Sequence, residues 1–90
     1  MILATSTITD YDQFLHTFST RGAEKRNEYG CKGSTVFRDP EDESRVWVVF
    51  DWDMDGWQRF SADPDVPAIF ATAGLQQPPV VVEATAKYES

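Results

Sequence analysis

The sequence predicts an α+β fold of the ferredoxin-like βαββαβ type: a four-stranded antiparallel sheet with its helices on one face, residues 1–90 forming a single domain. Three observations predict it. Short Ile-, Thr- and Val-rich runs alternate with helical segments in that order, each helical segment carries one apolar stripe, and at least one strand is apolar on both of its faces.

Ile2 to Ile8 reads as the first strand. Asp10 is placed to cap a helix, with Gln13 three residues on to complete a capping box. Tyr11, Phe14, Leu15 and Phe18 follow at i, i+3, i+4 and i+7, Gly22 and Tyr29 extend the stripe, and Gly30 sits where a glycine ends a helix. The helix is expected over roughly 11–28, with fraying after Gly22. Ser34–Arg38 and Arg45–Trp52 form a hairpin around the polar turn Asp39-Pro40-Glu41-Asp42-Glu43-Ser44. Asp53 caps a short helix bearing Met54, Trp57 and Phe60. Asp63-Pro64 restarts it, with Asp63 as cap and Pro64 as first helical residue. Val66, Ile69, Phe70 and Ala73 supply its stripe, Gly74 closes it, and Pro78-Pro79 precedes a last strand over Val80–Tyr88.

Side chains alternate faces along a strand. Val46, Val48, Phe50 and Trp52 share one face of the third strand, and Val80, Val82, Ala84 and Ala86 one face of the last. These are expected under the helices. The opposite face still carries Leu3, Phe37, Trp47, Val49 and Val81, and no segment remains to cover it. A second copy packing sheet to sheet would shelter it, so a homodimer is expected. A monomer with one partly solvated sheet face is the alternative.

Charge narrows the partners. Fifteen acidic residues against eight basic ones give a net charge of −7, which disfavours nucleic acid and anionic membrane surfaces. The nearest approach to a basic cluster, Arg21, Lys25 and Arg26, is interrupted by Glu24 and followed by Glu28, and reads as a solvated helix face. Cys31 is the only cysteine, so no internal disulfide is expected; it reads as a small packed residue. No basic segment followed by a long apolar stretch opens the chain, and the longest strongly apolar run, Val46–Phe50, is a strand. The cytoplasm is the expected location.

The stretch Gly30-Cys31-Lys32-Gly33-Ser34-Thr35-Val36-Phe37-Arg38-Asp39-Pro40-Glu41-Asp42-Glu43-Ser44-Arg45-Val46-Trp47-Val48-Val49-Phe50-Asp51-Trp52-Asp53 resembles the antibiotic biosynthesis monooxygenase family of dimeric α+β barrels. The shared pattern is a glycine-ended first helix, an Arg-Asp-Pro-acidic turn, and a strand ending acidic-Trp before a short helix. Phe60, Asp63-Pro64 and Ala73-Gly74 fit the second half. The resemblance implies a cavity between helices and sheet. Some members of the family oxygenate aromatic, polyketide-like substrates there without metal or flavin; others degrade haem, cyclise polyketides or have no assigned activity. Many members carry a histidine near the position of Phe60, and the haem-degrading branch uses an Asn, a Trp and a His. This chain has only His16, so the resemblance does not extend to haem degradation.

Candidate site residues follow from the stripes and the resemblance together. Trp52, Trp57 and Phe60 lie where the third strand meets the second helix. They read either as aromatic core or as the wall of a pocket for a flat ligand, where an indole N–H could donate to a developing oxyanion. Tyr29, near the end of the first stripe, joins Trp52 and Trp57 as a catalytic candidate; Phe14, Phe18, Phe60 and Phe70 are the expected pocket lining. His16 lies about 150° from the first stripe and should face solvent. With one His and one Cys, neither a catalytic triad nor a zinc site can be assembled, and no cofactor is expected. Two readings stand: a cofactor-free monooxygenase-like or cyclase-like enzyme acting on a small aromatic molecule, and a non-catalytic ligand-binding or stress-related dimer. A void of roughly 300 Å³ or more would favour a ligand site, and a filled aromatic core the structural reading.

Overall fold

The computed structural model describes residues 1–90. The elements run β1 (Ile2–Thr7), α1 (Tyr11–Ser19), α2 (Arg21–Glu28), β2 (Ser34–Arg38), β3 (Arg45–Phe50), α3 (Met54–Ser61), α4 (Val66–Thr72) and β4 (Val80–Glu83). The strands form one sheet in the order β2-β3-β1-β4, every neighbouring pair antiparallel. This is the ferredoxin-like arrangement the sequence predicts. The two halves of the chain meet at the centre, where β1 pairs with β3.

Register decides what each face carries. Ile2 and Ala4 stand opposite Phe50 and Val48, and with Val46 they are buried beneath Phe14, Phe60, Val66 and Ile69 of the helices. Each such large side chain contributes on the order of 1.5–3 kcal/mol by leaving water. On the other face two rows cross the sheet: Thr35, Val49, Leu3 and Val82, then Phe37, Trp47, Thr5 and Val80. No helix lies over them, and Phe37, Val80 and Val82 are 52%, 65% and 54% exposed.

The last strand is turned over relative to expectation. Val81 pairs with Ala4 and packs against the core, while Val80 and Val82 belong to the open face. Three consecutive valines look alike from either side; Glu83 decides. Its carboxylate accepts from the backbone N–H of Met54 at 2.7 Å, at the start of α3, which holds Glu83 on the helical side. The strand also ends at Glu83, and Ala84–Ser90 is exposed coil.

The first helix is two helices. Thr20 leaves the helical region at φ −113° and ψ −97°, and its hydroxyl donates to the His16 carbonyl at 2.7 Å, as Ser19's does at 3.2 Å. Adjacent hydroxyls competing for the same carbonyl break the ladder at Thr20 rather than fraying it after Gly22. Asp10 caps α1 through its bond from Gln13 N at 2.7 Å. The Gln13 side chain does not return to close the box: its amide donates to the Thr72 carbonyl at 2.6 Å, fastening α1 to the end of α4.

The second helical segment divides as expected but restarts later. Asp53 accepts from Gly56 N at 2.9 Å and begins α3. Asp63 accepts from Asp65 N at 2.8 Å in the intervening turn, so that Asp65, not Asp63, is the cap of α4 and Pro67, not Pro64, occupies its first turn. Gly74 closes α4 at φ +81°, a left-handed conformation that disfavours a side chain, and a Cβ there would run into the Thr9 hydroxyl. No helix is long and apolar enough to cross a membrane.

Candidate functional site

The aromatic residues contributed by both helical stripes converge over β3. Phe50 lies 6.2 Å from Phe18, 5.8 Å from Trp52 and 5.7 Å from Trp57, centroid to centroid. Trp57 in turn lies 5.4 Å from Phe60 and stacks on Phe70 at 6.4 Å and 18°. Such spacings are those of attractive offset and tilted ring pairs.

Between these rings and the sheet lies a cavity of about 60 Å³. Phe14, Phe18, Phe60 and Phe70 line it, together with Phe50 and Trp57. The volume holds a few waters, not a multi-ring molecule, and falls well short of the roughly 300 Å³ typical of ligand pockets. The wall is unevenly buried. Phe14, Phe50 and Phe60 are buried, whereas Phe18, Trp57 and Phe70 are only half-buried.

Two catalytic candidates stand outside this wall. Trp52 is buried against Phe60, at 5.4 Å, and beneath Gly56, where a Cβ would come within 3.3 Å of its ring. Its indole N–H has no hydrogen-bond partner, a buried orphan costing about 1–3 kcal/mol. Tyr29 turns the other way: its hydroxyl donates to Asp63 Oδ2 at 2.6 Å. Lys25 reaches the same carboxylate at 3.3 Å, and also Asp65 at 3.3 Å and Glu28 at 3.1 Å. This cluster clasps α2 to the turn before α4. The Tyr29 hydrogen bond holds the Asp63 carboxyl below its ordinary range and in return raises the Tyr29 phenol; the Glu28 hydrogen bond leads in raising Lys25. Trp57 alone of the three candidates reaches the cavity.

The group missed by the sequence reading is Arg26. It is not part of a solvated face: it is 8% exposed and lines the cavity. Its guanidinium carbon sits 3.7 Å above the Phe18 ring, and Nη2 donates to the Phe18 carbonyl at 2.9 Å. No carboxylate pairs with it. Burial lowers its proton affinity from the ordinary value, yet a guanidinium remains charged at neutral pH. Stacking on Phe18 offsets about 2 kcal/mol of a desolvation cost that reaches several kcal/mol per ion. Room for it comes from Gly22, where a Cβ would stand 3.0 Å from Arg26 Nη1 and 3.1 Å from the Thr17 carbonyl oxygen. The signal was in the spacing: Arg26 lies four residues after Gly22 and three before Tyr29, on the stripe itself.

The remaining polar candidates sit elsewhere. His16 is exposed, as its position on the helix implies. Arg38, at the hairpin end, donates to the Glu43 carbonyl at 3.3 Å and lies over the Tyr11 ring at 4.4 Å. Cys31 is buried, its thiol donating to the Gly33 carbonyl at 3.3 Å. No group of three or more His, Cys, Asp or Glu side chains is arranged to hold a metal ion.

Neither a family model nor a curated protein matches the chain. Solved structures do. The cofactor-independent oxygenase SnoaB from Streptomyces nogalater superposes with a TM-score of 0.72 at 17% identity, covering 99% of this chain and 95% of that one. A candidate antibiotic biosynthesis monooxygenase from Caulobacter crescentus gives 0.68 at 20% identity, covering 97% and 88%. Another from Bordetella bronchiseptica gives 0.66 at 21% identity, covering 96% and 95%. At these identities the likeness is one of architecture, over nearly the whole of each chain. The protein has the fold of the antibiotic biosynthesis monooxygenases.

Proposed function

We propose that residues 1–90 act as one unit, a homodimeric, monooxygenase-like protein that takes a small aromatic molecule into the cavity beneath its helices and oxygenates it without a cofactor. The observation that carries this reading is the cavity wall: six aromatic rings around a small void, three of them, Phe18, Trp57 and Phe70, only half-buried. The name of the SnoaB oxygenase, whose fold this chain shares, supports the choice of chemistry.

In such a reaction the substrate supplies the electrons. An activated ring methylene loses a proton, the resulting carbanion reacts with oxygen, and the carbon becomes a carbonyl as one water is released. The chain's part is to exclude water, hold the rings flat and donate hydrogen bonds to the developing oxyanion. Trp57 is the donor in the cavity wall; Trp52 and Tyr29 stand behind it, packing its neighbours and fastening α2. The two largely apolar rows on the open sheet face, which a second copy would bury, support dimerisation.

A second reading rests on the cavity's small volume: a non-catalytic dimer whose rings simply fill its core. Oxygen consumption with an anthrone-type substrate separates the two. Uptake that falls at least tenfold in Trp57→Phe supports the enzyme and its donor. Undiminished uptake removes Trp57 from the mechanism, and no uptake with any such substrate favours the second reading.

A further inference from the structure

We propose that Arg26 makes this cavity selective for aromatic anions, a ring system bearing a carboxylate or an ionised hydroxyl, over neutral aromatics of the same shape. The inference rests on the ligand-binding reading above and names the ligand's charge. Every other side chain that faces the cavity from the helices is uncharged, so Arg26 is its one ionic group. Of the five N–H donors on a guanidinium, protein takes up one, at the Phe18 carbonyl. The Phe18 ring covers one flat side and supplies no acceptor in the guanidinium plane, where a carboxylate binds through two parallel hydrogen bonds.

The surroundings fit the same conclusion. Arg26 also borders a second, polar recess of about 190 Å³ formed by Ala23, Asn27, Cys31, Lys32, Gly33 and Ser34. Arg26 therefore borders both an apolar chamber and a wetter one. A ligand with its rings among Phe14, Phe18 and Trp57 would bring an anionic end to that boundary. Gly22 keeps the place open, since any side chain there would crowd Arg26 Nη1. The chain carries a net charge of −7, so a free anion gains nothing from its overall field; recognition has to be local, as a buried guanidinium makes it.

Calorimetric titration with 2-naphthoate and with its uncharged counterpart 2-naphthamide tests this. Wild-type protein is expected to bind the carboxylate about tenfold or more tightly than the amide. Arg26→Met is expected to bind both equally, and Arg26→Lys to keep part of the preference, because an ammonium retains charge but not the planar fork. Equal affinity for the two ligands in wild type, or an undiminished preference in Arg26→Met, overturns the charge selectivity while leaving aromatic binding in place. Binding of neither ligand overturns the cavity reading, and this inference with it. Should Arg26→Met not fold, the wild-type pair of titrations alone decides.

Discussion

The two faces of the sheet are built from the same residue types and meet different fates. Beneath the helices, Ile2, Ala4, Val46, Val48 and Phe50 are buried, and their neighbours are rings from all four helices or the segments beside them. On the opposite face Leu3, Phe37, Trp47, Val49, Val80 and Val82 form largely apolar rows, interrupted by Thr35 and Thr5, with no helix over them. What distinguishes the faces most is the amount of helix the chain owns, which suffices for one side; the threonines of the open rows make that side the less apolar of the two. The covered side stabilises the chain and encloses the cavity; the open side is where the proposed second copy would pack.

The contrast is sharpest in substitutions of matched size. Phe50→Ala removes the ring on which Phe18, Trp52 and Trp57 converge and should cost about 3–5 kcal/mol, leaving the chain barely folded in urea titration. Phe37→Ala on the open face should change monomer stability far less. A pair of charges there, Phe37→Asp with Val82→Asp, should instead weaken self-association by about 30-fold or more, read by sedimentation equilibrium. If Phe37→Ala proved as damaging to a monomer as Phe50→Ala, the distinction between the faces would fail.

Smaller effects belong to the helical layer. Gly22→Ala would gain about 1 kcal/mol of helix propensity in a free helix. Here its Cβ meets Arg26 Nη1 and the Thr17 carbonyl, so a net loss of about 1 kcal/mol and weaker 2-naphthoate binding are expected. The Tyr29–Asp63–Lys25 clasp should show in pH dependence. Asp63 is held below its unfolded value near 3.8, so its contribution is complete above that pH and is lost as the pH falls through the lower folded value. Wild type should therefore exceed Asp63→Asn in stability at neutral pH, and the gap should close in strong acid. Tyr29 and Lys25 are raised, so their share is present below their unfolded values and lost only as the solution becomes strongly alkaline.

Element order, the caps at Asp10 and Asp53, the glycine stops at Gly30 and Gly74 and the hairpin were all legible, because each rests on local chemistry. The facing of β4 was not: Val80, Val81 and Val82 satisfy either face, and the deciding contact, Glu83 with the N-terminus of α3, is long-range. The break at Thr20 was hidden because it arises from two hydroxyls rather than from a proline or glycine. At the site, the aromatic positions could be read from the stripes, whereas Arg26 was taken for a surface charge because its neighbours Glu24, Lys25 and Glu28 are charged too. Only packing shows which member of a charged run is turned inward.

The three tryptophans report on the covered face, the open face and the core between them: Trp57 in the cavity wall, Trp47 on the open rows, Trp52 buried without a partner. Their indole N–H resonances, followed while 2-naphthoate is added and then while the protein is diluted, test the division of labour between the faces in one experiment. The ligand is expected to shift Trp57, dilution to shift Trp47, and neither to move Trp52 far. A ligand that shifts Trp47 and leaves Trp57 unmoved, or a Trp47 signal unchanged at every dilution, would contradict it.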